Sequence, residues 1–161
     1  MKSLLLAFLF ALGCALHLNA QLPAVKLKNI DGKTIETHRP GYEGRPLIIT
    51  FFATWCKPCL RELTAIAEMY DQWKAETDVE VIAVSIDEGA NSFKVKPFVS
   101  AQGWEFPVWL DSNKDLMRAL QVNMIPTALV LDEQRKIVYR HTGYVEGSEE
   151  ELIKHVKKLH K

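Results

Sequence analysis

Cysteine is scarce in this chain, with three residues among 161. Three thiols cannot build a four-thiolate zinc centre or a three-bridge disulfide framework, so cysteine acts locally or not at all. An excess of charge of either sign is also missing: Lys and Arg total 20, Asp and Glu total 20. Such a chain has no global basic character for a phosphate backbone, which argues against a nucleic-acid partner. Glycine (8) and proline (7) are sparse, and with 48% hydrophobic residues the composition lies far from disordered or collagenous classes. Repeats, low-complexity stretches and linkers are absent. What is left is a chain of ordinary globular composition, with a length suited to one domain and a sizeable core.

The longest apolar run stands at the start. Lys2 precedes residues 4–16, which are nearly all apolar, and Leu18-Asn19-Ala20 closes on a small residue just where polarity rises. This is the pattern of a secretory signal peptide cleaved after Ala20, leaving residues 21–161 as a single mature domain outside the cytoplasm, in the periplasm. A membrane anchor is the rival, but a spanning helix takes about 20 apolar residues, and this run stops at His17. Lipidation at Cys14 is the weaker alternative, because Ala11 stands where a lipoprotein cleavage box prefers leucine. Cleavage removes Cys14 and leaves Cys56 and Cys59 as the remaining thiols, a pattern suited to an oxidising compartment where a stray thiol invites mispairing.

Along the mature chain, residues 25–30 and 33–37 flank Asn29-Ile30-Asp31-Gly32 and predict a β-hairpin packed on a sheet edge. Residues 47–53 are apolar on both faces and predict a central buried strand. Leu60, Leu63, Ile66, Tyr70 and Trp73 then recur at helical spacing and predict a helix to about Trp73. A strand over 79–86 follows, and then a helix over 91–103 that Pro97 delays or kinks. Next come a strand over 106–110 and a short helix to Leu120 capped by Asp111 or Ser112. Residues 127–131 and 136–141 predict an antiparallel hairpin, and Ser148 with Glu151 predicts a capping box on a last helix striped by Leu152, Val156 and Leu159. The order predicts one α/β domain with a mixed central sheet flanked by helices.

Trp55-Cys56-Lys57-Pro58-Cys59 falls where the buried strand gives way to the helix. Only a thiolate attacks a disulfide, and the unpaired N–H groups at a helix start stabilise negative sulfur, which makes Cys56 the nucleophile. Cys59, one turn along and nearer the core, is the resolving thiol. Pro58 stiffens the turn between them, and the Lys57-Pro58 pair adjusts the redox poise. The rival readings of the pair are weaker. A zinc site lacks a second pair and ligand-spaced histidines, haem attachment needs histidine where Leu60 stands, and a copper carrier wants three residues between its cysteines. Trp55 is either a packing aromatic or part of a docking surface beside Cys56. A peroxidase would need Pro and Thr at set spacings before a single cysteine, which Ile49 and residues 52–55 do not provide.

The strand, motif and helix resemble the thioredoxin superfamily, and the mature chain resembles its exported TlpA/ResA-like branch, including an extra strand and helix between Ser92 and Leu120. The resemblance implies a thioredoxin-like fold and a cis peptide bond before Pro126, facing the cysteine pair. It also implies that the backbone of Ile125 pairs with an extended substrate strand, and that Gly143 lies on the substrate-facing rim. It matches Glu88 with an active-site glutamate of the branch, able to assist proton transfer to Cys59. Thr50 stands where thioredoxin keeps a buried aspartate, six residues before the first cysteine, so the proton relay of that protein has no aspartate here. The resemblance implies a monomeric protein-disulfide reductase without cofactor or metal. Its clients would be protein thiols, apocytochrome c thiols among them, and its donor a membrane thiol-disulfide relay. A non-catalytic client-binding module on the same fold is the alternative.

Overall fold

The computed structural model describes residues 21–39 and 41–159. The expected signal segment and Cys14 lie outside them. Among the described residues seven strands form one sheet in the order β2-β1-β5-β4-β3-β6-β7. Its centre is built from β3 (Leu47–Phe52), β4 (Glu80–Ser85) and β6 (Thr127–Leu131), whose residues are buried throughout. These are the continuous apolar runs that only a doubly covered strand can hide from water. β4 lies parallel to β3 and to β5 (Val108–Leu110), whereas β6 runs antiparallel to β3 and to β7 (Ile137–Thr142). The expected hairpin, β1 (Lys26–Asn29) with β2 (Thr34–Glu36), extends the sheet at the β5 edge. The mixed α/β sheet expected from the sequence is therefore present.

Among the described residues four α-helices flank the sheet: α1 (Lys57–Thr77), α2 (Ser92–Gln102), α3 (Asp115–Ala119) and α4 (Glu149–Leu159). α1 packs on β3 and β4, α4 packs on β6 and β7, and the two helices touch. Several boundaries differ from the sequence expectation, each for a local reason. α1 runs on to Thr77, whose hydroxyl donates to the Trp73 carbonyl, and Asp78 closes it in the left-handed region. β5 begins only after Pro107, which has no N–H to give to a ladder. α2 follows a 3-10 turn over Gly89–Asn91 and runs through Pro97. The capping box does not form: the Ser148 hydroxyl has no hydrogen-bond partner, and the Glu151 carboxylate turns to Lys154 at 3.0 Å.

The sheet register assembles one end of the molecule. Phe51 lies opposite Thr127, so Pro126 falls beside the chain leaving β3; Thr127 lies opposite Thr142, so Gly143 falls beside Pro126. Phe52 pairs with Ser85, which carries Asp87 and Glu88 to the same end.

Candidate active site

Cys56 is the N-cap of α1, with extended backbone (φ −89°, ψ 93°), and Lys57 and Pro58 open the helix. A proline in the first turn forfeits an N–H that has no partner there in any case. The Cys56 N–H donates to the Ala53 carbonyl at 3.0 Å, closing a tight turn over Thr54 and Trp55. The Cys59 N–H points back and donates to the Cys56 sulfur at 3.3 Å. Cys56 and Cys59 are joined as a disulfide, their Cα atoms 5.3 Å apart. Cys56 keeps 6% of its surface accessible and Cys59 none, so attack from solvent can reach only Cys56. Both are more enclosed than an open helix start suggests.

Glu62 stands one turn after Cys59 on the same helix and is 1% exposed. The Thr50 hydroxyl on β3 donates to its Oε2 at 2.6 Å. Burial raises its pKa from the ordinary 4.5 to about 7; the Thr50 hydrogen bond pulls it down, and the negative charge of Glu149 on α4 adds to the rise. The carboxylate is thus poised to take or give a proton near neutrality. Thr50, which stands in place of an aspartate, holds the carboxylate that the helix supplies. The sequence reading missed Glu62, although one signal was present: it lies three residues after Cys59 and four before Ile66, on the face that packs inward.

Glu88 is placed differently from the expectation. It sits exposed at the entry to the 3-10 turn and forms an ion pair with Lys114. The burial that a proton-handling carboxylate needs is found at Glu62, so that expectation moves from the end of β4 to the second turn of α1. Trp55 is 66% exposed, which leaves its ring outside the core. The Ile125–Pro126 peptide bond is cis, and the Gly143 N–H donates to the Pro126 carbonyl at 2.8 Å. Gly143 takes φ +83°, a conformation that a side chain would strain. Met124, Trp55 and Val145 are exposed, two residues before Pro126, one before Cys56 and two after Gly143 respectively. Beside them a groove of about 720 Å³ opens between α1 and the loop after β7, lined by Leu60, Arg61, Thr64, Tyr144, Val145 and Glu149 among others. Lys57 is exposed at the helix start, and Pro58 is half-buried. No cluster of metal-ligating side chains occurs among the described residues.

Comparison with known proteins gives this geometry its relatives. The family model described as AhpC/TSA matches residues 18–140. The chain belongs to the AhpC/TSA family. Among relatives within it, the thiol-disulfide oxidoreductase ResA of Bacillus thuringiensis (strain Al Hakam) is 31% identical over 144 residues, covering 89% of this chain and 79% of that protein. Among solved structures, an uncharacterized thioredoxin-like protein from Porphyromonas gingivalis is 59% identical with a TM-score of 0.77, over 87% of this chain and 92% of that one. StoA from Bacillus subtilis is 28% identical with a TM-score of 0.66, over 83% and 96%. A peroxidoxin from Mycobacterium tuberculosis, 14% identical, shares the fold alone. This member of the family is a thiol-disulfide oxidoreductase of thioredoxin-like fold, with Cys56 and Cys59 joined as a disulfide.

Proposed function

We propose that the protein is exported and reduces disulfides in protein clients. The observation that carries this reading is the buried Glu62–Thr50 pair one turn beyond the Cys56–Cys59 disulfide. In the reduced protein the Cys56 thiolate attacks a client disulfide, forming one mixed disulfide and releasing one client thiolate. Cys59, its proton passed to the Glu62 carboxylate, then attacks the Cys56 sulfur and releases the second client thiolate. The client gains two electrons, and the pair ends as the disulfide seen here. A dithiol donor, by our reading a membrane thiol-disulfide relay, reverses the exchange. No organic cofactor enters, because sulfur carries the electrons.

Client docking falls to the rim. The exposed indole of Trp55 and the backbone of Ile125 before the cis proline offer an apolar face and a strand edge to an extended segment, with Gly143, Lys57 and Pro58 bordering it. Apocytochrome c thiols are one client class that fits this arrangement. Export is supported by Lys2, the apolar run over 4–16 and Ala20; Leu22, just beyond, is already buried and bonded to the Arg135 carbonyl at 3.0 Å, which suits a domain starting at residue 21.

The test is a Cys59→Ser trap expressed in the native host. The expected result is a client joined through Cys56, recovered outside the cytoplasm on a chain that begins at Gln21. A variant that binds clients but forms no adduct would instead mark a non-catalytic binding module. An adduct on an uncleaved or Cys14-lipidated chain would overturn the signal-peptide reading alone.

A further inference from the structure

Asp87, at the end of β4, is 1% exposed, and its carboxylate is surrounded by donors. Its Oδ2 accepts from the Thr54 N–H at 2.9 Å and from the Ser85 hydroxyl at 2.9 Å, and its Oδ1 accepts from the Thr54 hydroxyl at 2.7 Å. The Ser85 oxygen in turn accepts the Asp87 N–H at 3.1 Å. None of the ion pairs among the described residues includes Asp87, and its neighbour Glu88 is spent on Lys114. A buried carboxylate with no cation beside it is costly unless several donors hold it, and here two of its three donors belong to one residue. That residue is Thr54, the first of the two that form the turn from the Ala53 carbonyl to the Cys56 N–H.

We propose that Asp87 is a positioning residue for Cys56: by gripping the Thr54 peptide and hydroxyl, it fixes the turn that delivers the nucleophilic sulfur to the start of α1. The sulfur is activated only if it lies where the Cys59 N–H reaches it, at 3.3 Å here. Only one short turn separates β3 from the helix, so a rotation of the Thr54 peptide is passed directly to Cys56. The parallel β3–β4 register, which pairs Phe52 with Ser85, makes the grip possible by bringing the end of β4 alongside that turn. The same grip leaves Trp55, the second turn residue, facing outward, so one carboxylate sets both the nucleophile and the indole beside it.

This inference rests on the thiol-disulfide oxidoreductase activity and is independent of its direction. The experiment compares wild type, Asp87→Ala, Asp87→Asn and Thr54→Val as full reduced chains. It measures the rate of Cys56 alkylation by iodoacetamide across pH and the rate of exchange with a disulfide peptide, with thermal unfolding alongside. Asp87→Ala is expected to slow both reactions at neutral pH by about tenfold and to raise the pH midpoint of alkylation, because the thiolate loses its N–H contact. Asp87→Asn keeps an oxygen for the Thr54 N–H and is expected to recover most of the rate. Thr54→Val, which removes only the hydroxyl grip, should slow both reactions about threefold. Loss of thermal stability in Asp87→Ala with unchanged Cys56 reactivity would overturn the proposal, leaving Asp87 a purely structural carboxylate. If Asp87→Ala does not fold, unchanged Cys56 reactivity in Thr54→Val overturns it. Absence of exchange in the wild type would instead strike the oxidoreductase reading.

Discussion

Glu62 and Thr50 form a two-residue device in which each partner has a separable effect on one proton. Burial favours the neutral acid, the Thr50 hydroxyl favours the carboxylate, and the charge of Glu149 favours the acid again. Tyr144 lines the groove beside Glu149, and burial together with that negative charge holds the pKa of its hydroxyl above the ordinary range. Because Glu62 acts as a base toward Cys59, resolution of a mixed disulfide should speed up as pH rises through about 7. Glu62→Gln should slow turnover roughly tenfold or more and abolish that inflection. Thr50→Val removes the bond that lowers the pKa and should move the inflection upward; Glu149→Gln removes the opposing charge and should move it downward. Single-turnover rates of client release from the Cys56 adduct, followed across pH, check all three. An unchanged inflection in Glu62→Gln would assign the proton to another group.

At the scale of elements, the strand-turn-helix carrying the cysteines was legible because it is local: an apolar run, a proline in a first turn, and a stripe at helical spacing. The hairpins and the mixed sheet followed from alternation and turn residues in the same way. The inward face of α1 holds Leu63, Ile66, Tyr70 and Trp73 as the stripe predicted, while Leu60 is only half-buried and Cys59 and Glu62 join the face. A glutamate among leucines reads as solvent-facing until the β3 hydroxyl that meets it is known. Asp87 and Glu88 posed the same problem. Two adjacent carboxylates leave β4, and the register with β3 decides that the first turns in and the second turns out. The N-cap of α3 is neither Asp111 nor Ser112, as the sequence led us to expect: Lys114 takes that position in the left-handed region (φ 56°), and Asp111 serves the helix start from three residues earlier. The five-residue α3 is too short to persist alone, and the buried Asp111 carboxylate accepts from the Leu116 N–H at 3.2 Å and the Met117 N–H at 2.8 Å. Asp111→Ala should therefore cost about 1–2 kcal/mol and Asp111→Asn less, as measured by urea unfolding. A loss within error for Asp111→Ala would mean that packing of Leu116 alone holds the helix.

For the molecule as a whole, these carboxylates bear on how firmly it holds its disulfide and on how its stability responds to pH. A strongly oxidising protein stabilises its thiolate heavily, whereas here the Cys56 sulfur has a single N–H contact, from Cys59, and the buried carboxyl of Glu62 follows on the same helix. The reduction potential is expected at about −250 mV or lower, near that of thioredoxin, and titration against dithiothreitol measures it; a value near about −120 mV would defeat the reductase assignment. Glu62 also links stability to pH. In the folded protein it binds its proton up to about 7, whereas the unfolded chain releases it near the ordinary 4.5. The native state therefore holds more protons between those values, and its stability must fall as pH rises through that window. The displacement corresponds to roughly 3 kcal/mol when the window is fully crossed. Asp31, Glu76 and Glu151, each held low by a lysine, titrate below the window and act in the opposite sense, costing stability only as pH drops further. Unfolding by urea at pH 5 and pH 8, with the disulfide intact so that no thiol titrates, isolates the Glu62 contribution. The wild type should lose more stability between the two than Glu62→Gln does, and equal losses would mean that Glu62 is ionised in the folded protein throughout.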